Sequence, residues 1–464
     1  MNLYDEVEYP SRSFSQTHPE RAATIGTMLG MSPPVPATSR ILEAGCGSGW
    51  NLIPMAAAMP DARLFGFDLA ESPIESARRD TAALGLKNLR FEALDVLDFP
   101  SDTGEFDYII AHGFYSWVPR HARLKLLEIC RAHLSPQGLA FISFNANPYS
   151  TVRLMWRGML LYHAQQMGVK SPQELIAQSE TFLKTLRDQW EKRPTTRFHS
   201  KLLDLQIDSV RSGGGNWFFH DDLATFFEPF SVTDFDRELE SYGLQFASEA
   251  LFEGLMPQAV ADRPMNWIQR EQTWDNLNFR GFRSTLVCHR NRDLVRPPDL
   301  NVFEKLRFAA PLTRTKLNTF RNEWTGSEAQ SEDRRILDIL TRLAQTWPAS
   351  VSFAELGAEA SNLLDLTLAN VIEPCVSANR LPHPKQTFTL SDKPAIFAPA
   401  RMQAQRINVV TNRLHSSIQL EQEPLRKFVV GLDGMTPLSE LVPLFGNERE
   451  MFEQLDWLYR AALI

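Results

Sequence analysis

The residues best suited to chemistry lie early in the chain, in ILEAGCGSGWN, Ile41 to Asn51. Gly45, Gly47 and Gly49 alternate there at the end of an apolar run, as they do where backbone must come close to a ligand and adopt φ values that side chains disfavour. A dinucleotide fingerprint would read G-x-G-x-x-G and offer a helix N-terminus to a pyrophosphate. This loop reads G-x-G-x-G, with Trp50 where the third dinucleotide glycine would fall. Glu43, just ahead of the first glycine, would repel a pyrophosphate and suit an ammonium or sulfonium cation. The loop therefore favours S-adenosylmethionine over NAD.

Three further features follow in order. Asp68, with Leu69, ends the second apolar run, where a carboxylate can accept both hydroxyls of a ribose. Asp95 and Val96 follow the third run, in place to accept from an adenine amine. Phe106 to Pro119, FDYIIAHGFYSWVP, ends the fourth run with His112 and Gly113 on the ligand side, because open α/β sheets bind ligands beyond the carboxyl ends of their strands. Taken singly, each acid reads equally well as a helix N-cap. The ordered set points to a cofactor.

The elements that must position these groups alternate short apolar strands with amphipathic helices. Strands are expected at Arg40 to Ala44, Arg63 to Asp68, Leu89 to Leu94, Phe106 to Ala111 and Leu139 to Phe144. Helices fall at Asn51 to Met59, Ser72 to Leu84 and Pro119 to Leu134, the second capped by Ser72 ahead of Pro73 and ended by Gly85. A helix at Asp234 to Tyr242 and strands at Leu244 to Phe252 and Gly281 to His289 would complete the same sheet, leaving 150–229 as a helical insertion. The expected fold is α/β: a Rossmann-like seven-stranded sheet with that insertion and a mainly helical C-terminal region. Four segments result: a cofactor-binding core with an N-terminal lid over 1–149, the insertion over 150–229, completion of the sheet over 230–292, and a regulatory or substrate-recognition unit over 299–464. The pattern at Asp333 to Thr346 reads as a helix, and that around Pro437 to Leu463 admits a winged-helix-like module.

Composition removes several classes. A net charge of −8 with no long basic run argues against nucleic-acid binding. Cys46, Cys130, Cys288 and Cys375 are too far apart for a zinc ribbon or a disulfide framework, which suits a reducing, cytoplasmic setting. No apolar stretch approaches a membrane span, and no His/Asp/Glu grouping has metal-ligand spacing.

The cofactor motifs resemble those of class I S-adenosylmethionine-dependent methyltransferases. The opening YDEVEYPSRSFSQTHPERAATIG, the segments AHGFYSWVP and HDDLATFFEPFSVTDF, and the late APARMQAQRINVVTNRLHSSIQLE with GLDGMTPLSEL resemble bacterial methyltransferases carrying a methyltransferase regulatory domain. That group includes rickettsial protein lysine methyltransferases that modify outer membrane proteins. The resemblance implies S-adenosylmethionine as donor, S-adenosylhomocysteine as product and a protein lysine as leading acceptor. A homodimer is a further expectation. A small-molecule N- or O-methyltransferase and a cofactor-binding scaffold are the alternatives, with an NAD oxidoreductase behind them.

Methyl transfer from a sulfonium asks the protein to align a nucleophile and strip it of water. A lysine, with an ordinary pKa near ~10.4, must first lose its proton, and an apolar pocket beside a cation lowers that value. Tyr4, Tyr9, Phe14, Phe114, Tyr115 and Trp117 are candidates for such a pocket, with tyrosine hydroxyls aiming the amine. His112 is a candidate base or cofactor contact, His18 part of a lid or a helix-start residue, and Asn145 a hydrogen-bonding partner for the acceptor. His220 and Asp221 would reach it from the insertion.

Overall fold

A computed structural model of the chain describes residues 12–464 apart from 170, 198, 202, 205–206, 209–214, 225, 257–263 and 378–387. Its centre is a seven-stranded sheet built from β1 (Arg40–Ala44), β2 (Arg63–Asp68), β3 (Leu89–Ala93), β4 (Phe106–Ala111), β5 (Leu134–Asn145), β6 (Leu244–Glu249) and β7 (Phe282–His289). The spatial order is β3-β2-β1-β4-β5-β7-β6, with β1 to β5 parallel and β7 antiparallel to both β5 and β6. The order reverses between β1 and β4, which makes their carboxyl ends the crevice where such sheets bind ligands.

Strand alternation distributes the apolar side chains to two layers. Ile41 and Leu64 join Ile53, Met55 and Ile74 on one face. Leu42, Ala44, Phe65 and Phe67 join Leu126, Leu127 and Phe235 on the other. Because both faces are covered, the central strands read as continuous apolar runs, and that made them legible.

The helix after β2 spans Glu71–Ala83 and starts from Ala70, not Ser72. Asp68 accepts the Ala70 N–H at 3.0 Å, which turns the chain into the helix before Ser72 is reached. Pro73 then falls in the first turn, where its missing N–H is harmless. The helix before β6 spans Val232–Ser241, with Ser231 accepting from the Asp234 N–H. β6 stops at Glu249 and a 3-10 turn covers Phe252–Gly254, so this strand is shorter than expected.

The insertion holds helices Tyr149–Gln166, Pro172–Glu191 and Gly215–Asp222 around their own apolar cluster, which includes Trp156, Leu183 and Phe218. Past residue 299, two cores replace one. Val302, Phe303, Phe308, Leu340 and Leu363 join the first layer of the sheet, whereas Phe397, Val410, Phe428 and Leu455 belong to a separate cluster. Besides helices such as Arg334–Thr346 and Glu448–Arg460, the described residues of this region form three small sheets. The last of them is a hairpin of Val409–Thr411 with Ser417–Gln419, which lies ahead of the helix–turn–helix pattern. Among the described residues no helix is long and apolar enough to cross a membrane.

Candidate cofactor and acceptor site

The glycine loop is fastened to β2 by its backbone: the Gly45 and Cys46 N–H groups both donate to the Phe67 carbonyl, at 2.9 and 3.1 Å. At Gly49, φ is +77°, and a Cβ would run into the Phe91 ring, so only glycine lets the loop pack on the third strand. Gly47 is different. Its φ is +52°, yet nothing lies within 4 Å of where its Cβ would be, and the same open space stands over Gly113 beyond β4.

Asp68 holds the loop's shape. Its Oδ2 accepts the Gly47 N–H at 2.9 Å and its Oδ1 the Ala70 N–H at 3.0 Å. Asp95 accepts the Leu97 N–H at 3.0 Å and so caps a 3-10 turn, with Val96 buried beneath it. Both acids therefore accept backbone N–H groups of the turns that follow their strands. Leu69, next to Asp68, is 63% exposed.

Glu43 is buried on β1 with Oε1 accepting from Asn51 Nδ2 at 2.7 Å and Oε2 without a partner. Burial, reinforced by the charge of Asp68 and opposed by the Asn51 bond, pushes its carboxyl up to about 8. His112 packs its ring 4.0 Å from Phe14, with Phe141 and Phe282 beyond, and its Nδ1 is buried and unpartnered. Burial, with the Arg12 charge second, lowers its pKa to about 4, so the imidazole is neutral at pH 7. Asn145, at the end of β5, has a buried, unpartnered Oδ1, while its N–H donates to Ser116 Oγ at 2.9 Å.

Other expected site residues are placed elsewhere. Tyr4 and Tyr9 lie outside the described residues. Tyr115 is fully buried on the opposite layer, against Phe144, Phe230 and Phe235, and its hydroxyl donates to Glu238, which Arg123 also holds. The catalytic role expected of Tyr115 does not fit this geometry, because the one proton its hydroxyl could offer an acceptor is already committed. Tyr115→Phe is accordingly expected to retain cofactor binding and turnover and to lose about 1 kcal/mol of stability, measured by denaturant titration. Loss of turnover with an unchanged melting curve would restore the catalytic reading.

Trp117 packs on Phe227 at 4.8 Å and lies under Arg153, which pairs with Asp222 and Asp221 of the insertion at 2.9 and 3.6 Å. His220 is buried in the same helix, and Asp221 is pushed up to about 6 by burial. Those residues tie the insertion to the segment after β4. Phe114 lies against Gly45. His18 caps the Pro19–Met28 helix through its Nδ1, which accepts the Glu20 N–H at 3.1 Å, so it is a helix-start residue.

Asn51 was expected at the cofactor, but the sequence reading missed His415, which joins it to the C-terminal region. Asn51 Oδ1 accepts from the Phe14 N–H at 3.1 Å and pairs with Nε2 of His415 at 2.9 Å, 364 residues away. The segment INVVTNRLHSSIQLE carries part of the family resemblance, but a lone histidine with no spacing partner carries no chemical signal of its own.

A cavity of about 1680 Å³ lies beside this junction, lined by Phe14, His18, Leu414, Trp324, Trp347 and Trp457 among others. None of the glycine-loop residues lines it.

The groups at the strand ends fit S-adenosylmethionine. Glu43 Oε2 and His112 Nδ1 are buried polar atoms without a partner, and Gly47 and Gly113 border open space. Residues 41–138 match the family model of a methyltransferase domain, and 215–289 that of a predicted methyltransferase regulatory domain. Fold and site thus define a class I S-adenosylmethionine-dependent methyltransferase. The protein RP789 of Rickettsia prowazekii is 31% identical over 393 residues, 80% of this chain and 70% of that one. The chain belongs to the family of methyltransferases that carry a methyltransferase regulatory domain. The structure of PKMT2 from Rickettsia typhi is similar over 98% of this chain and 99% of its own, with a TM-score of 0.82 at 21% identity. The same protein in complex with AdoHcy superposes with a TM-score of 0.80.

Proposed function

We propose that the enzyme methylates the side-chain amine of lysine in a protein substrate in the cytoplasm. The observation that carries this reading is the cavity of about 1680 Å³, which exceeds the ~300–1,000 Å³ of small-molecule sites and suits a stretch of polypeptide. Its tryptophans, Trp324, Trp347 and Trp457, suit a cationic side chain with a long apolar stem on its way in. All four cysteines are buried free thiols, in keeping with a reducing compartment.

In this reading Asp68 accepts the ribose hydroxyls, Asp95 the adenine amine, and Glu43 the cationic amino-acid end, with Leu69 and Val96 supplying apolar surface to the base. When bound, S-adenosylmethionine supplies an electrophilic methyl group. The chain's own residues select and orient the amine. Phe14, Phe141 and Phe282 enclose His112 in an apolar wall that disfavours an ammonium ion. Asn145 Oδ1 accepts one N–H of the neutral amine and so directs its lone pair. A histidine with a pKa near 4 is too weak to take the proton from an ammonium, so the amine sheds it to solvent before entering.

Transfer of labelled methyl to a bacterial lysate, split into protein and metabolite fractions, tests the acceptor. The label is expected in protein and, after acid hydrolysis, in methyl-lysine. Label confined to the metabolite fraction would overturn the protein reading. Cofactor binding with no label in either fraction would make the chain a scaffold.

A further inference from the structure

The hairpin Val409–Thr411 and Ser417–Gln419 projects from the C-terminal core onto the glycine loop. Its connecting turn is firmly built. Asn412 Oδ1 accepts from the Leu414 and Ser416 N–H groups at 3.0 and 2.8 Å, and Asn412 Nδ2 donates to the Ala461 carbonyl at 2.9 Å. Thr411 is anchored by Gln403 from its own core and reaches Ser13 Oγ of the N-terminal segment at 2.9 Å. At the tip stands His415, with φ at +63°, a left-handed conformation that strains a residue with a Cβ.

His415 is buried, and its ring makes one hydrogen bond, from Nε2 to Asn51 Oδ1, while Nδ1 has no partner. A ring that served only to fill this space would be better apolar, since burying an unmet ring nitrogen is unfavourable. The bond has a definite polarity. The Phe14 backbone can only donate, so Asn51 must present its oxygen on that side; His415 then carries its proton on Nε2 and donates as well. With the Phe14 N–H, the Thr17 hydroxyl at 3.1 Å and His415 all directed at its oxygen, the Asn51 amide is held with Nδ2 on Glu43 Oε1. Glu43 Oε2 is thereby left without a partner.

We propose that His415 is a positioning residue for cofactor binding, through which docking of the C-terminal hairpin orients Asn51 and Glu43 at the glycine loop. The proposal rests on the assignment of that loop to S-adenosylmethionine. It gives the C-terminal core a direct route to the cofactor, because anything that lifts the hairpin removes one of the donors that hold Asn51.

Calorimetric titration of the full chain with S-adenosylhomocysteine tests it, using wild type, His415→Phe, His415→Leu and His415→Gln. All four retain a Cβ, so the cost of the left-handed backbone is common to them. Loss of the donated hydrogen bond is expected to weaken binding about tenfold in the Phe and Leu variants, whereas Gln, whose amide reaches the same point with an N–H, stays within about threefold of wild type. Having two apolar variants of different shape keeps the comparison open if one does not fold. Wild-type affinity in either apolar variant, or a Gln variant as weak as they are, would overturn the role of His415. Failure of the wild type itself to bind would overturn the cofactor assignment and this inference with it.

Discussion

Glu43→Gln is expected to weaken S-adenosylmethionine binding by about 100-fold, the 2–3 kcal/mol lost when one member of a buried charge pair is neutralised. It is also expected to remove most of the pH dependence of binding. In the ligand-free fold the carboxyl is held near 8, against about 4.3 in an unfolded chain, because burial outweighs the Asn51 bond. The folded state therefore binds more protons than the unfolded state between those values, and stability falls as pH rises through that window. A bound cation reverses the preference. Wild-type affinity should increase from pH 6 to pH 8 with release of up to one proton, detected by calorimetry in two buffers of different ionisation enthalpy. Titration of the ligand's own amino group is common to both proteins, so the difference between wild type and Glu43→Gln isolates the carboxylate. Thermal melts without ligand should show the variant gaining on wild type as pH rises towards 8. An affinity difference that is flat over this range would sink the assignment of Glu43 to the cation.

Arg283→Met is expected to cost about 3–5 kcal/mol, the penalty for leaving buried charges without their partner. Arg283, on β7, is wholly buried and donates to Asp275 through Nε and Nη2, both at 2.8 Å, to Glu271 at 2.9 Å and to Glu249 at 3.1 Å. Arg280 adds a second cation, at 2.9 Å from Glu249 and 3.3 Å from Asp275. The cluster pins the Trp267–Asn278 helix to β6 and β7, the edge of the sheet that follows the insertion. Burial already pushes Glu249 up to about 7, with both arginines opposing it. Removing Arg283 pushes the carboxyls higher, so the variant's deficit should shrink as pH is lowered and the acids take up protons. Denaturant titrations at pH 5.5 and 8 measure this. A deficit under 1 kcal/mol at pH 8, or one that grows towards pH 5.5, would show that the cluster does not carry the edge.

Much of the cofactor site was legible because its parts are local. The glycine loop, Asp68 and Asp95 each sit where an apolar run ends, and a strand end in an α/β sheet is a position that can be counted along the chain. Even so, the start of the Glu71–Ala83 helix was misplaced, because the turn is set by the Asp68 carboxylate, a contact that no N-cap pattern encodes. Tyr115 shows the complementary limit. Its neighbours His112 and Gly113 are at the crevice, but Tyr115 itself turns into the opposite layer, and the partner that takes its hydroxyl, Glu238, is 123 residues away. The buried arginine cluster looked like ordinary scattered charge for the same reason: Glu249, Glu271, Asp275 and Arg283 meet only when β6, β7 and the intervening helix pack together.

What the sequence determined by itself is the glycine loop, the acid ahead of it and the strand order that gathers Asp68, Asp95 and His112 at one edge. Those follow from periodicity and backbone sterics, which act over a few residues. Only the tertiary structure decided that Asn51 is held between the N-terminal segment and His415, with Glu43 Oε2 left over for a ligand. That outcome depends on which buried polar atoms find partners, and partners hundreds of residues apart are chosen by packing.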